Sequence, residues 1–390
     1  MKIRTLIVAC VAHVMHDGLT DLLYVMLPIW QREFGISLAA VGLLRSLYSG
    51  AMAAFQLPSA VVAERVGART MLVTGTALAA LCYAVTSTRS TYVAIAAALF
   101  VGGLGASVQH PISSNMIAQA FDGARSRAAL GTYNFAGDLG KMAIPSLLAG
   151  LLIIMPWRPA LLIVASIGLC VAAAIAFFAP RTRVAIEHDD AKSNNAPTGR
   201  TLTAGFALLL AIGAIDSATR TGFLTFLPFI ITGKGTPVQT VGFALTLIFA
   251  GGAAGKFVCG YLGDRIGVLA TVCITEGLTA LGIIALLPLK LGPALAILPL
   301  IGVALNGTSS VLYGTVPELV PSRQRQRAFG IFYTVGIGSS SISPVLAGAL
   351  SDAYGIPVLM AAVATLVLVT IPLAIGLQMN QTARHGDAFE

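Results

Sequence analysis

Apolar stretches of about 20 residues, each long enough to cross roughly 30 Å of hydrocarbon, follow one another along the chain between short polar turns. They predict twelve spans: Thr5–Trp30, Leu38–Ala63, Met71–Ser87, Tyr92–Ala118, Ala128–Met155, Pro159–Phe178, Leu202–Ile231, Val238–Leu262, Leu269–Leu289, Pro293–Glu318, Ala328–Ser351 and Ile356–Leu377. Nothing in them alternates as barrel strands do, and unpaired backbone groups are not tolerated in lipid, so each span is expected to be helical. The predicted fold class is therefore an all-α membrane protein with twelve transmembrane helices. The one long polar segment, Arg181 to Gly199, divides six helices from six. The expected domains are an N-terminal bundle over 1–180, a linker over 181–200, a C-terminal bundle over 201–378 and a tail over 379–390.

Composition agrees with this pattern. Only 10% of the residues are charged and 56% are hydrophobic, against about 25% charged in soluble domains. So much apolar surface needs the bilayer as a second solvent. The five cysteines are scattered within apolar stretches and read as small packing residues. The net charge of +8 is explained by topology rather than by nucleic acid. With the N-terminus inside, fifteen Lys and Arg residues fall on that side and five on the other, which predicts cytoplasmic termini. The expected location is a bacterial-type inner membrane. The basic start at Lys2 and Arg4 leads into a run that carries Asp17 and Asp21, and so reads as a retained first helix, not a signal peptide.

The halves repeat each other. Leu27-Pro28 returns as Leu227-Pro228, Glu64-Arg65-Val66-Gly67 as Asp264-Arg265-Ile266-Gly267, and Arg127-Ala128 as Arg327-Ala328. Several matches at an offset of 200 identify parallel repeats, each beginning on the same side.

The segment Gly260-Tyr261-Leu262-Gly263-Asp264-Arg265-Ile266-Gly267 resembles the GxLaDrxGrk signature of the major facilitator superfamily. The resemblance implies two six-helix bundles related by a pseudo-twofold axis, and a conformational latch built on Gly260, Asp264 and Arg265, with Glu64 and Arg65 in a degraded first copy. Three stretches of the first half resemble the fosmidomycin resistance protein-like branch: His13 and Asp17 in a His-x-x-x-Asp pattern, His110-Pro111-Ile112-Ser113-Ser114, and Phe135 to Gly140. That branch implies efflux of small drugs. Asp138 and Lys141 depart from its small or neutral residues in helix 5.

Ionisable groups at membrane depth cost about 2.5–3.5 kcal/mol each on insertion scales, and so mark partners or function. Five acids (Asp17, Asp21, Asp138, Asp216, Glu276) and four bases (Arg45, Lys141, Arg220, Lys256) lie within the spans. On helix 1, His13, His16, Asp17, Thr20, Asp21 and Tyr24 share one broad polar face. Asp17, Asp21, His13, His16 and Asp138 are the candidate proton-coupling groups; the alternative is that the acids neutralise nearby bases as structural pairs. Arg45, Tyr24, His110, Asn134, Lys141, Asp216, Arg220 and Lys256 are candidate substrate contacts, because Arg offers a fork that suits a carboxylate. Glu276, on helix 9, is expected to be structural or at the lipid interface. Pro111, Pro145 and Pro344 predict bends, and Gly137, Gly140, Gly336 and Gly338 predict points where helices approach and flex. Ser339-Ser340-Ser341 could face either a cavity or neighbouring carbonyls.

These features predict a secondary active transporter working by alternating access, a proton-coupled exporter (antiporter) of a small organic compound, anionic or zwitterionic. Proton-coupled uptake of an organic anion is the alternative, and a membrane solute sensor a more distant one. No Walker motif and no metal-ligand set such as HExxH occurs, so neither ATP, nor a metal, nor a cofactor is expected, and the chain is not expected to be an enzyme. Its expected partners are a small-molecule substrate, protons and lipid, with no nucleic acid, and the expected working unit is a monomer.

Overall fold

The structure is a computed structural model and describes residues 2–89, 91–180, 203–321 and 324–386. The linker expected over 181–200 and the end of the tail lie outside the described residues. Among the described residues, twelve helices are long and apolar enough to cross a membrane. In chain order they are α1 Lys2–Phe34, α2 Leu38–Val66, α3 Ala68–Thr88, α4 Tyr92–Ala120, α5 Ala128–Ile154 and α6 Trp157–Phe178. The second set comprises α7 Ala204–Gly233, α8 Gln239–Ile266, α9 Val268–Leu286, α10 Leu291–Leu319, α11 Arg327–Tyr354 and α12 Ile356–Thr382. The predicted spans are all present, several of them extended by polar turns that hydropathy does not register.

Glycines at positive φ explain where several helices stop. Gly35 and Gly67, at φ +59° and +86°, end α1 and α2. Gly235 and Gly267, at +79° and +84°, sit at the same places after α7 and α8. This left-handed conformation costs glycine nothing and any other L-residue about 1 kcal/mol or more. The offset of 200 seen in the sequence is thus also an offset in backbone geometry.

Two helices of the first half are interrupted. α1 has a turn at Leu22, and α4 has one at Ser107–Val108. The second follows from Pro111, which lacks the N–H that would bond the carbonyl four residues back. That carbonyl, of Ser107, receives the Ser59 hydroxyl from α2 at 3.4 Å. The bend expected at His110-Pro111 therefore lies one turn before the proline.

The chain forms two compact units, residues 1–36, 43–194 and 236–246 in the first, and 37–42, 195–235 and 247–390 in the second. In the first, α1 packs along α5, and α3 along α6 and the first part of α4. In the second, α7 packs along α11, and α9 along α10 and the start of α12. The pairings α1–α5 and α7–α11 repeat at the level of packing. Small residues make the first pairing possible: a Cβ on Gly140 would strike the Val14 carbonyl, and one on Gly18 would strike Ile144. Cys82 and Cys259 are buried against Gly102 and Gly307, the packing role expected of them. Within the second unit, Asp352 near the end of α11 accepts the N–H groups of Leu38 and Ala39 at 2.8 Å each, capping the first turn of α2.

Candidate functional site

In the first unit the polar face of α1 meets α5, α4 and α2. Asp17 is 7% exposed and is ringed by three partners. The Nε2 atoms of His13 and His16 lie 3.4 and 3.7 Å from its Oδ1, and the Lys141 ammonium lies 3.4 Å from its Oδ2. Lys141 also reaches Asp138 at 3.6 Å, one turn away on α5. The His13 ring is fixed on both sides. Its Nδ1 lies 2.8 Å from the Tyr133 carbonyl, and since a carbonyl only accepts, Nδ1 is the protonated nitrogen. The ring also stacks on Tyr133 at a centroid distance of 4.0 Å. Gly137 makes the room: a Cβ there would lie 2.6 Å from both Asp17 Oδ2 and His13 Cε1.

His110 joins from α4, edge-on to His13 and His16 at centroid distances of 5.1 and 4.9 Å. Ligand atoms of His13, Asp17 and His110 come within 4.8 Å of one another, a spacing a metal ion could use. The Lys141 ammonium on the same carboxylate already supplies a positive charge, so the group reads as a buried electrostatic cluster.

Asp21 faces a different base. Arg45 lies 3.6 Å from it, donates to the Thr20 carbonyl at 2.9 Å and the Tyr24 hydroxyl at 3.0 Å, and stands over the Tyr24 ring. Both Arg45 and Tyr24 are buried, so Arg45 is held tightly to α1. Asn134 is exposed, outside this buried cluster.

In the second unit a cavity of about 180 Å³ opens between α7, α10 and α11. Asp216, Ser217 and Arg220 line one wall, and Tyr313, Phe332 and Tyr333 another. Arg220 pairs with Asp216 at 3.4 Å and donates to the Ser217 hydroxyl at 3.4 Å. Its side chain is 23% exposed, against 4% for Asp216. The pair thus presents the guanidinium outward and keeps the carboxylate inside. The serines of α11 divide their roles: Ser340 donates to the Ser217 carbonyl and Ser343 to the Ala218 carbonyl, tying α11 to α7, whereas Ser339 and Ser341 bond within their own helix. Gly336 lies 3.2 Å from Ser217 at its Cβ position, whereas no atom of the described residues comes within 4 Å at Gly338.

Glu276 does not stand at the lipid interface, one of the two placements expected of it. It is 1% exposed, turned into the unit and away from lipid, close enough to Asp216 and Arg220 to feel both charges and in contact with the Thr308 hydroxyl. Its position on α9 concealed this, because the sequence does not say which face of α9 meets α10. Lys256 is half-buried on α8.

Of the expected latch residues, Arg65, Asp264 and Arg265 are exposed and Glu64 is half-buried. Arg265 stands 5.1 Å from the Tyr261 ring centroid. At Gly260 no atom of the described residues lies within 4 Å of where a Cβ would stand. The tight approach of α8 to α10 occurs instead at Gly251, Gly255, Gly302 and Gly307.

The family model described as Major Facilitator Superfamily matches residues 9–210 and again 209–386. A probable L-galactonate transporter of Escherichia coli (strain K12) is 24% identical over 83% of this chain and 77% of its own length. An uncharacterized MFS-type transporter of Bacillus subtilis (strain 168), YfnC, is 25% identical over 97% of this chain and 94% of its own. Among solved structures, a bacterial homolog of the human lysosomal transporter Spinster, inward-facing and occupied, superposes with a TM-score of 0.78 at 13% identity, covering 96% of both chains. The same homolog, inward-facing and unoccupied, gives 0.75 at 15% identity over 98% of this chain and 95% of that one.

Proposed function

Because this chain belongs to the major facilitator superfamily, and is thus a multi-pass membrane transporter and not an enzyme, we propose that it couples proton movement to the transport of a small organic anion by alternating access. The observation that carries the coupling is the setting of Asp17. A buried carboxylate within 3.4–3.7 Å of two imidazoles and one ammonium can gain or lose a proton while keeping a polar neighbour in either state. Imidazole is the side chain whose ordinary titration falls nearest neutral pH.

The anionic class rests on Arg220. Its outward-facing guanidinium can receive a carboxylate in the bidentate manner, and hydroxyls of Ser217 and Ser340 adjoin it. The relative named for L-galactonate, a sugar acid, supports the same class. The membrane potential supports a choice of direction. An interior-negative potential drives an anion outward by about 2.3 kcal/mol per charge per 100 mV. Proton coupling is needed for uptake, not for exit, so we favour symport inward. The export reading draws on the resemblance of His13, Asp17 and His110-Pro111 to the fosmidomycin resistance protein-like branch.

Proteoliposomes with an imposed pH gradient test the reading against a panel of sugar acids, neutral sugars and organic cations. Gradient-driven accumulation of an acid, lost in Asp17→Asn, is the expected result. Full gradient-driven transport in both Asp17→Asn and Asp21→Asn would refute the coupling, and preference for a cation would refute the substrate class.

A further inference from the structure

The network around Asp17 leaves a second buried acidic group unused, in the other unit. Glu276 of α9 is 1% exposed. Its Oε1 has no hydrogen-bond partner among the described residues, and no base lies within ion-pair distance of it there. The elements packed against α9 supply few charges. α12 carries none over Ile356–Thr382, and α10 has only Glu318, near its end. From α7 the charged groups facing Glu276 are Asp216 and Arg220. The remaining polar neighbours are hydroxyls: Thr308, which contacts the carboxyl group, and Thr275, which receives the Thr308 hydroxyl at 2.7 Å.

Arg220 is spent on Asp216 at 3.4 Å, which leaves Glu276 with no counter-ion at pairing distance among the described residues. A bare carboxylate buried without a partner is strongly disfavoured, and two like charges in one dry site disfavour each other further. A single bound proton relieves both costs. Asp216 lines the cavity beside Arg220 and Glu276 does not, so a proton entering from the cavity meets Asp216 first and Glu276 beyond it.

We propose that Glu276 and Asp216 form a second proton-binding site of the transporter, linked to the occupancy of Arg220. When an anion takes the guanidinium, Asp216 loses its counter-ion and the carboxyl pair takes up a proton. One proton is added to one carboxylate oxygen, and no other bond changes. This inference rests on the anion reading of the Arg220 cavity, but it places a coupling group on a helix and in a unit separate from Asp17.

The site is tested first without any substrate, by infrared titration of the purified full-length protein in lipid. A protonated-carboxyl band that titrates in the parent is expected to vanish in Glu276→Gln and to shift in Thr308→Val, which keeps the acid and removes its hydroxyl neighbour. An unchanged band in Glu276→Gln overturns the proposal; should that variant not fold, an unshifted band in Thr308→Val does so. Transport separates this from the broader reading. If the parent shows no proton-coupled uptake of L-galactonate or another sugar acid, the reading itself fails. If the parent is coupled, Glu276→Gln is expected to lower the proton-to-solute ratio, and an identical ratio sinks only the second site.

Discussion

The Lys141 ammonium lies 3.4 Å from the Asp17 carboxylate and joins α5 to α1 through a buried ion pair. Removing one partner of such a pair strands the other charge, at a cost of about 3–5 kcal/mol when burial is complete. Lys141 is 29% exposed and keeps Asp138 as a second partner, so the cost here is expected below that range. Lys141→Met should lower the thermal midpoint of the purified protein. Asp17→Asn combined with Lys141→Met should recover most of the loss. A double variant no more stable than Lys141→Met would show that the pair is not a unit.

Gly137 should not tolerate a methyl group. Alanine normally gains a helix about 1 kcal/mol over glycine, but overpacking costs about 1–3 kcal/mol. With Asp17 and His13 atoms 2.6 Å from the Cβ position, the second effect should win. Gly137→Ala is expected to destabilise the protein and to impair pH-driven transport. Gly131→Ala and Gly338→Ala, where nothing among the described residues lies within 4 Å, should be neutral or stabilising in the same unfolding assay.

Arg220 should be irreplaceable by lysine. An ammonium keeps the charge but loses the planar fork, and hydrogen bonds to charged groups are worth about 1.5–3 kcal/mol. Arg220→Lys is expected to raise KM for a sugar acid by about 10-fold or more, with Arg220→Ala weaker still. Equal KM values for the parent and Arg220→Lys would remove the guanidinium from substrate recognition.

Asp352 caps α2 through two backbone N–H groups. Loss of an N-cap acceptor costs about 0.5–2 kcal/mol. Asp352→Ala should lower the thermal midpoint, and Asp352→Asn, which keeps one acceptor oxygen, should lower it less. A midpoint unchanged in Asp352→Ala would mean that water replaces the cap fully.

Hydropathy and helical spacing are local properties, and they determined much from the sequence alone: twelve helices, their limits to within a few residues, and the polar face of α1, with the repeat at 200 legible beside them. His13, Asp17 and Tyr24 share that face because 3.6 residues per turn requires it, whatever surrounds them. Partners are another matter. Only the tertiary structure decided that His110 meets His13, that Lys141 bridges Asp17 and Asp138, that Ser340 rather than Ser339 ties α11 to α7, and that Glu276 points inward. The physical reason is that apolar helices packed in lipid are chosen by close approach of small residues such as Gly140 against Val14, a matching of surfaces far apart in sequence that no window along the chain records.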